Sequence, residues 1–209
     1  MPRIADDLAV LMLRDNGGWR CTGADAADVL AGALIAELVA EGFLDRRADP
    51  DDFWSRQRVH SPAVEPPTDP ILARVWDLVT GGKGAQAVQR QVAKESRTLV
   101  MDALARREVV STTPRPVLGP RHTLLDIDHR DRLRAELTPI VVEQREPDER
   151  QRTIIQLLNG AVILRQALGL SFSEGLAVQR GARQLGKPVW PEKTAIDLMV
   201  GRRAAVLSS

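Results

Sequence analysis

Between Asp28 and Glu41 the only charged residue is Glu37, and the segment from about Ala24 to Glu41 otherwise presents Ala, Leu, Ile and Val on nearly all sides. A helix that is apolar all round persists in water only if other elements cover it. The segment therefore predicts a central, largely buried helix stopped by Gly42, within a chain large enough to surround it. At 209 residues the chain meets that demand, because folding at this length buries roughly 70% of the surface exposed by the unfolded form. An apolar fraction of 44% with 27% charged residues is that of an ordinary globular protein and excludes disorder throughout. Glu37 needs a partner in such surroundings, and an ion pair with an Arg of a neighbouring helix is the expectation.

Other elements follow around this helix. From Arg3 to Arg14 the residues Ile4, Leu8, Leu11 and Met12 recur at helical spacing, with Asp6 and Asp7 early and Arg14 last, predicting a first amphipathic helix. Asp15-Asn16-Gly17-Gly18 supplies a turn, and Trp19-Arg20-Cys21 a short extended piece. Phe43 to Arg47 reads as a short strand, and residues 48–69, with Pro50, Pro62, Pro66 and Pro67, as a long irregular connection. Thr68-Asp69-Pro70 opens a helix to about Thr80. Gly81-Gly82-Lys83-Gly84 breaks it, and a further helix, in one or two pieces, runs from about Ala85 to Arg107. Glu108–Thr112 and Arg121–Ile127 form a β-hairpin around a proline-rich tip. Helices over about Asp128–Gln144, Asp148–Leu168, Ser173–Leu185 and Pro191–Val206 complete the chain. The fold class is mainly α: about seven or eight helices, a helical core with surrounding amphipathic helices and one small β-hairpin, in a single domain.

Several function classes find no support. Lys and Arg number 29 against 28 Asp and Glu, a formal charge of +1, so no basic excess points to nucleic acid. The single Cys21 and the scattered His60, His122 and His129 show no zinc spacing, and a reducing cytoplasm is the default. The opening residues lack the order of a secretory signal, and no uncharged apolar run approaches the length of a membrane span. Gly81 to Gly84 lacks the spacing and the Ser or Thr of a phosphate loop. Asp126, Asp128, His129 and Asp131 are better read as helix-capping residues, Asp128 above all, than as metal ligands or an acid/base pair. Neither Ser173 nor Cys21 has a base at recognisable spacing. No catalytic residue, metal or cofactor is expected. Only four of the basic residues are Lys, a richness in Arg that fits a GC-rich bacterial genome.

One constellation does suit chemistry. Arg90, Lys94 and Arg97 stand at i, i+4 and i+7, a line of three cations along one helix face, while Val88, Val92, Leu99, Val100 and Leu104 serve the core. Three such donors fit a phosphate or an anionic lipid.

The order of elements resembles the Golgi phosphoprotein 3 family, whose eukaryotic members are peripheral Golgi proteins that bind phosphatidylinositol 4-phosphate and which also has bacterial members. The likeness rests on Ile4-Ala-Asp-Asp-Leu-Ala-Val-Leu-Met-Leu-Arg-Asp15 with Gly17-Gly18, on Leu30-Ala-Gly-Ala-Leu-Ile-Ala-Glu-Leu-Val-Ala-Glu-Gly-Phe-Leu44, and on Leu104-Ala-Arg-Arg-Glu-Val-Val110 before the hairpin. It covers about Ile4 to Val206. The resemblance implies one mainly α domain over residues 1–209 and a hairpin that in eukaryotic relatives contributes to membrane contact or self-association. It also implies a lipid pocket using a Trp, an Arg on the apolar second helix and a basic-x-x-Arg pair. The pair falls on Lys94 and Arg97; the second-helix position holds Ala31; the Trp position falls near Thr22, with Trp19 three residues away. The expectation is a non-enzymatic protein on the cytoplasmic membrane face that binds an anionic phospholipid headgroup through Lys94, Arg97, Arg90 and Trp19, with Arg115 and Arg121 adding positive field. The alternative is a cytoplasmic interaction scaffold, self-associating or binding a protein partner, that keeps the fold without the lipid site.

Overall fold

A computed structural model describes residues 3–48, 57–79, 81, 83–115 and 120–208. Among them are nine helices: α1 (Ile4–Met12), α2 (Gly23–Ala40), α3 (Pro70–Val79), α4 (Ala85–Arg106), α5 (Ile127–Val142), α6 (Glu149–Gly160), α7 (Leu164–Leu168), α8 (Gly175–Gln184) and α9 (Trp190–Leu207). Two antiparallel strand pairs accompany them, β1 (Asp45–Ala48) with β2 (Gln57–His60) and β3 (Val110–Thr113) with β4 (Arg121–Leu124). The mainly α class stands. A second strand pair is added, because Gln57 to His60 forms a strand inside the stretch read as irregular.

The apolar segment forms α2, which packs on α1, α3, α4, α6 and α9, so its uniform apolarity is explained by neighbours on all sides. Thr22 caps it, its side chain accepting from the Asp25 amide at 3.1 Å. Beside it, α1 departs from its expected amphipathic character: every residue from Ile4 to Met12 is buried. The two early aspartates do not face solvent. Asp6 receives Arg107 at 2.6 Å and Arg3 at 3.2 Å, and Asp7 receives His129 Nε2 at 2.8 Å together with Arg150. These partners come from directly before α1 (Arg3), the residue after α4 (Arg107), α5 (His129) and α6 (Arg150), which is why the charges of α1 can be enclosed at all. Glu37 also differs from expectation. Its Oε1 accepts from the Ile4 amide at the start of α1, where the helix dipole is positive, and among the described residues no Arg pairs with it. Burial pushes the Glu37 carboxyl up to about 8, against the pull of that amide.

Boundaries elsewhere follow capping chemistry. Asp69 accepts from the amides of Ile71 and Leu72 at 2.8 and 3.1 Å and opens α3. Asp126, and not Asp128, caps α5, accepting from the His129 amide at 2.9 Å. Asp148 and Gln151 form a capping box on α6. The expected single helix from Asp148 to Leu168 is two, since the chain turns at Ala161–Ile163 with Val162 at φ 61°. Asn159-Gly160 directly precedes that turn and is a local signal that the single-helix reading passes over.

Candidate anion-binding site

The loop after α1 returns on itself: Gly17 donates to the Arg14 carbonyl at 2.9 Å, Arg14 to the Gly18 carbonyl at 2.8 Å, and Leu13 bridges to Trp19. Its tip rests on the β3–β4 hairpin. Gly17 takes φ 79°, and a Cβ there would stand 2.7 Å from both Arg121 Cγ and the His122 carbonyl oxygen, so only glycine lets the loop and β4 meet this closely. From α4, Arg97 Nη1 donates to the Gly23 carbonyl at 3.2 Å, at a place where a Cβ on Gly23 would lie 2.6 Å from that nitrogen.

These three elements enclose an open cavity of about 410 Å³, lined by Asn16, Gly17, Gly18, Trp19, Arg97, Arg115, Pro120 and Arg121. Of the described lining residues three are arginines and none is acidic. The carboxylate nearest in sequence to Arg97, Glu95, is held by Arg74 through two hydrogen bonds of 2.9 Å. Among the described residues no ion pair involves Arg97, Arg115, Arg121 or Lys94. Burial, and then the Arg97 charge, hold the His122 imidazole below its ordinary value. His122 lies next to Arg121 on β4 and its Nδ1 is 3.0 Å from Thr112 Oγ1. The wall is thus positive, carries an indole, and leaves guanidinium hydrogens for an incoming oxyanion.

Of the residues singled out in the sequence, Trp19 and Arg97 come together at this cavity. Lys94 and Arg90 are exposed on the same helix and are not part of its lining; the Arg90 charge instead acts on Asp28. Ala31 is fully buried in the core. Positive charge reaches the cavity from the hairpin instead, through Arg115 and Arg121. Those two were legible as cations, but nothing in the sequence placed them opposite Trp19. Residues 116–119 of the hairpin tip, like Pro50, lie outside the described residues.

The remaining chemical candidates resolve into structure. Asp131 pairs with Arg134 at 3.3 Å, and Cys21 is half-buried with its thiol pushed up to about 11, first by burial and then by Asp25. Among the described residues no group of three potential metal ligands occurs, and no helix is long and apolar enough to cross a membrane.

The family model for Golgi phosphoprotein 3 (GPP34) matches residues 4–199. The chain belongs to the Golgi phosphoprotein 3 family. A search of curated proteins gave no match. The Golgi phosphoprotein 3 match runs from the first residue of α1 well into α9, so it takes in the loop, the helix and the hairpin that enclose the basic cavity.

Proposed function

We propose that this Golgi phosphoprotein 3 family protein is a non-enzymatic peripheral membrane protein that binds the phosphorylated headgroup of an anionic phospholipid, phosphatidylinositol 4-phosphate being the family's lipid. The observation that carries the reading is the cavity walled by Arg97, Arg115 and Arg121 with no carboxylate in its lining. Guanidinium pairs suit phosphate because planar donors meet two oxygens at once. Trp19 adds a face against which a polyol ring can rest. On this reading the protein works at the cytoplasmic face of a membrane, where acidic lipids concentrate positive partners.

The test uses a soluble headgroup, inositol 1,4-bisphosphate, titrated calorimetrically into the whole protein. Arg97→Ala with Arg121→Ala should weaken binding roughly tenfold or more per arginine, because each charge-assisted contact contributes about 1.5–3 kcal/mol. Lys94→Ala, outside the cavity, should change it less than either. Equal affinity of the wild type and the double variant would remove the cavity from the account and favour the scaffold reading.

A further inference from the structure

The basic cavity has an apolar neighbour. Thr22 and Gly23 form the partition: Arg97 reaches Gly23 from the basic side, and Thr22 lines a second hollow of about 410 Å³ on the other. That hollow is completed by Asp25, Arg202, Arg203, Val206 and Leu207. The two arginines add no free charge there. Arg202 Nη1 meets Asp25 at 2.6 Å and its other nitrogen meets Asp28, while Arg203 Nη2 lies 3.2 Å from Asp25. What remains at the surface is apolar, with Val206 exposed by 70% and Leu207 by 89%.

The same end of the molecule extends to α6. Arg203 Nη1 donates to the Gly160 carbonyl at 2.9 Å, so the last turns of α9 abut the end of α6. Two residues on, Val162 is 68% exposed and holds φ 61°, a left-handed position usually filled by Gly or Asn. A β-branched side chain is strained in that conformation. Val162 shares a hollow with Phe172, which is 88% exposed. One end of the protein therefore sets a carboxylate-free basic cavity beside exposed apolar side chains from three separate segments.

We propose that Leu207, Val162 and Phe172 form a wedge that enters the headgroup layer of an anionic bilayer while the neighbouring cavity holds a lipid phosphate. The inference rests on the headgroup reading above and adds the surface that meets the membrane. Charge complementarity selects the bilayer as occupant: a positive cavity flanked by apolar tips matches a negative surface over hydrocarbon, each tip contributing by its buried apolar area. The β3–β4 hairpin contributes Arg115 and Arg121 to the cavity, and the end of α9 and the α6–α7 turn contribute the apolar tips.

The test measures flotation of the full chain with phosphatidylcholine vesicles, with or without phosphatidylserine and phosphatidylinositol 4-phosphate. Leu207→Asp and Val162→Asn should each weaken binding to acidic vesicles by roughly tenfold, a fraction of the gain from burying one large aliphatic side chain. Both should leave the affinity for soluble inositol 1,4-bisphosphate unchanged. Val162→Asn should also unfold at an unchanged or higher denaturant concentration, because Asn accepts the left-handed backbone; weaker vesicle binding with undiminished stability separates a membrane role from a structural one. The wedge is overturned if either variant floats like wild type, if soluble headgroup affinity falls in parallel, or if wild type ignores acidic vesicles. It is also overturned if the variants instead break up a self-associated form of the chain. Loss of the headgroup reading shows separately, as an Arg97/Arg121 double variant that binds the soluble bisphosphate normally.

Discussion

Two groups of arginines in this protein end differently. Around the start of α1, Arg3, Arg107 and Arg150, with His129, converge on the buried Asp6 and Asp7. At the other group, Arg97, Arg115 and Arg121 line a cavity that has no acid in its wall. Both are arginine-rich, and net charge distinguishes neither. The contrast lies in completeness: the first group is closed by the chain's own carboxylates and holds helices together, whereas the second has no ion pair among the described residues. Counting basic residues along a helix face therefore does not tell which cations the fold gathers around one cavity.

Three variants sharpen that contrast, in order of expected size. Asp7→Ala removes the buried carboxylate that Arg150 and His129 meet from their part-exposed positions beside Glu136 and Asp148, and losing hydrogen bonds to a charged group of this kind costs about 1.5–3 kcal/mol. Urea unfolding should show a correspondingly lower midpoint, and a midpoint near that of wild type would mean that the closed group contributes little. Glu37 supplies the intermediate case, a buried carboxyl with an amide partner and, among the described residues, no ion pair, though the Arg3 charge acts on it from nearby. Its pKa is raised in the folded state to about 8, so the folded form keeps the proton while the unfolded form loses it above about 4.5. Stability from this group is thus greatest at low pH and falls as pH rises between those values, on the order of 1 kcal/mol per pH unit, then levels off. Subtracting the unfolding free energies of Glu37→Gln from those of wild type across this range should isolate the slope; a flat difference would contradict it. The smallest effect is expected at the open group, where Arg97→Ala changes folding stability by no more than about 0.5 kcal/mol, as for a surface side chain without a charged partner. A loss of several times that size in thermal or chemical unfolding would show the cavity to be structural.

Much of the fold was legible because hydrophobic periodicity and caps act locally. The apolar run from Ala24 to Glu41 told of a central helix, and Thr68-Asp69-Pro70 of a start that Asp69 indeed makes. What escaped was decided at a distance. Asp6 and Asp7 read locally as first-turn acids that favour the helix dipole, and nothing nearby marks their partners Arg107, His129 and Arg150, which stand some hundred residues or more along the chain. The strand Gln57–His60 carries too little alternation to signal itself, and it exists through pairing with Asp45–Ala48. At the site, helical spacing isolated Arg97 and the family resemblance drew attention to Trp19. The approach of the Gly17 loop to Arg121 belongs to tertiary packing and left no local mark.

The complete enclosure of α1 bears on how the protein is made. This helix emerges from the ribosome ahead of every surface that will cover it, for it packs against α2, α4, α5, α6 and α7, the last of which ends only at Leu168. Loop closure over such separations must precede the reward of contact, which slows folding. Until translation has passed Leu168, α1 is a sticky apolar ribbon carrying two unpaired acids, and the nascent chain has to be kept from aggregating through it.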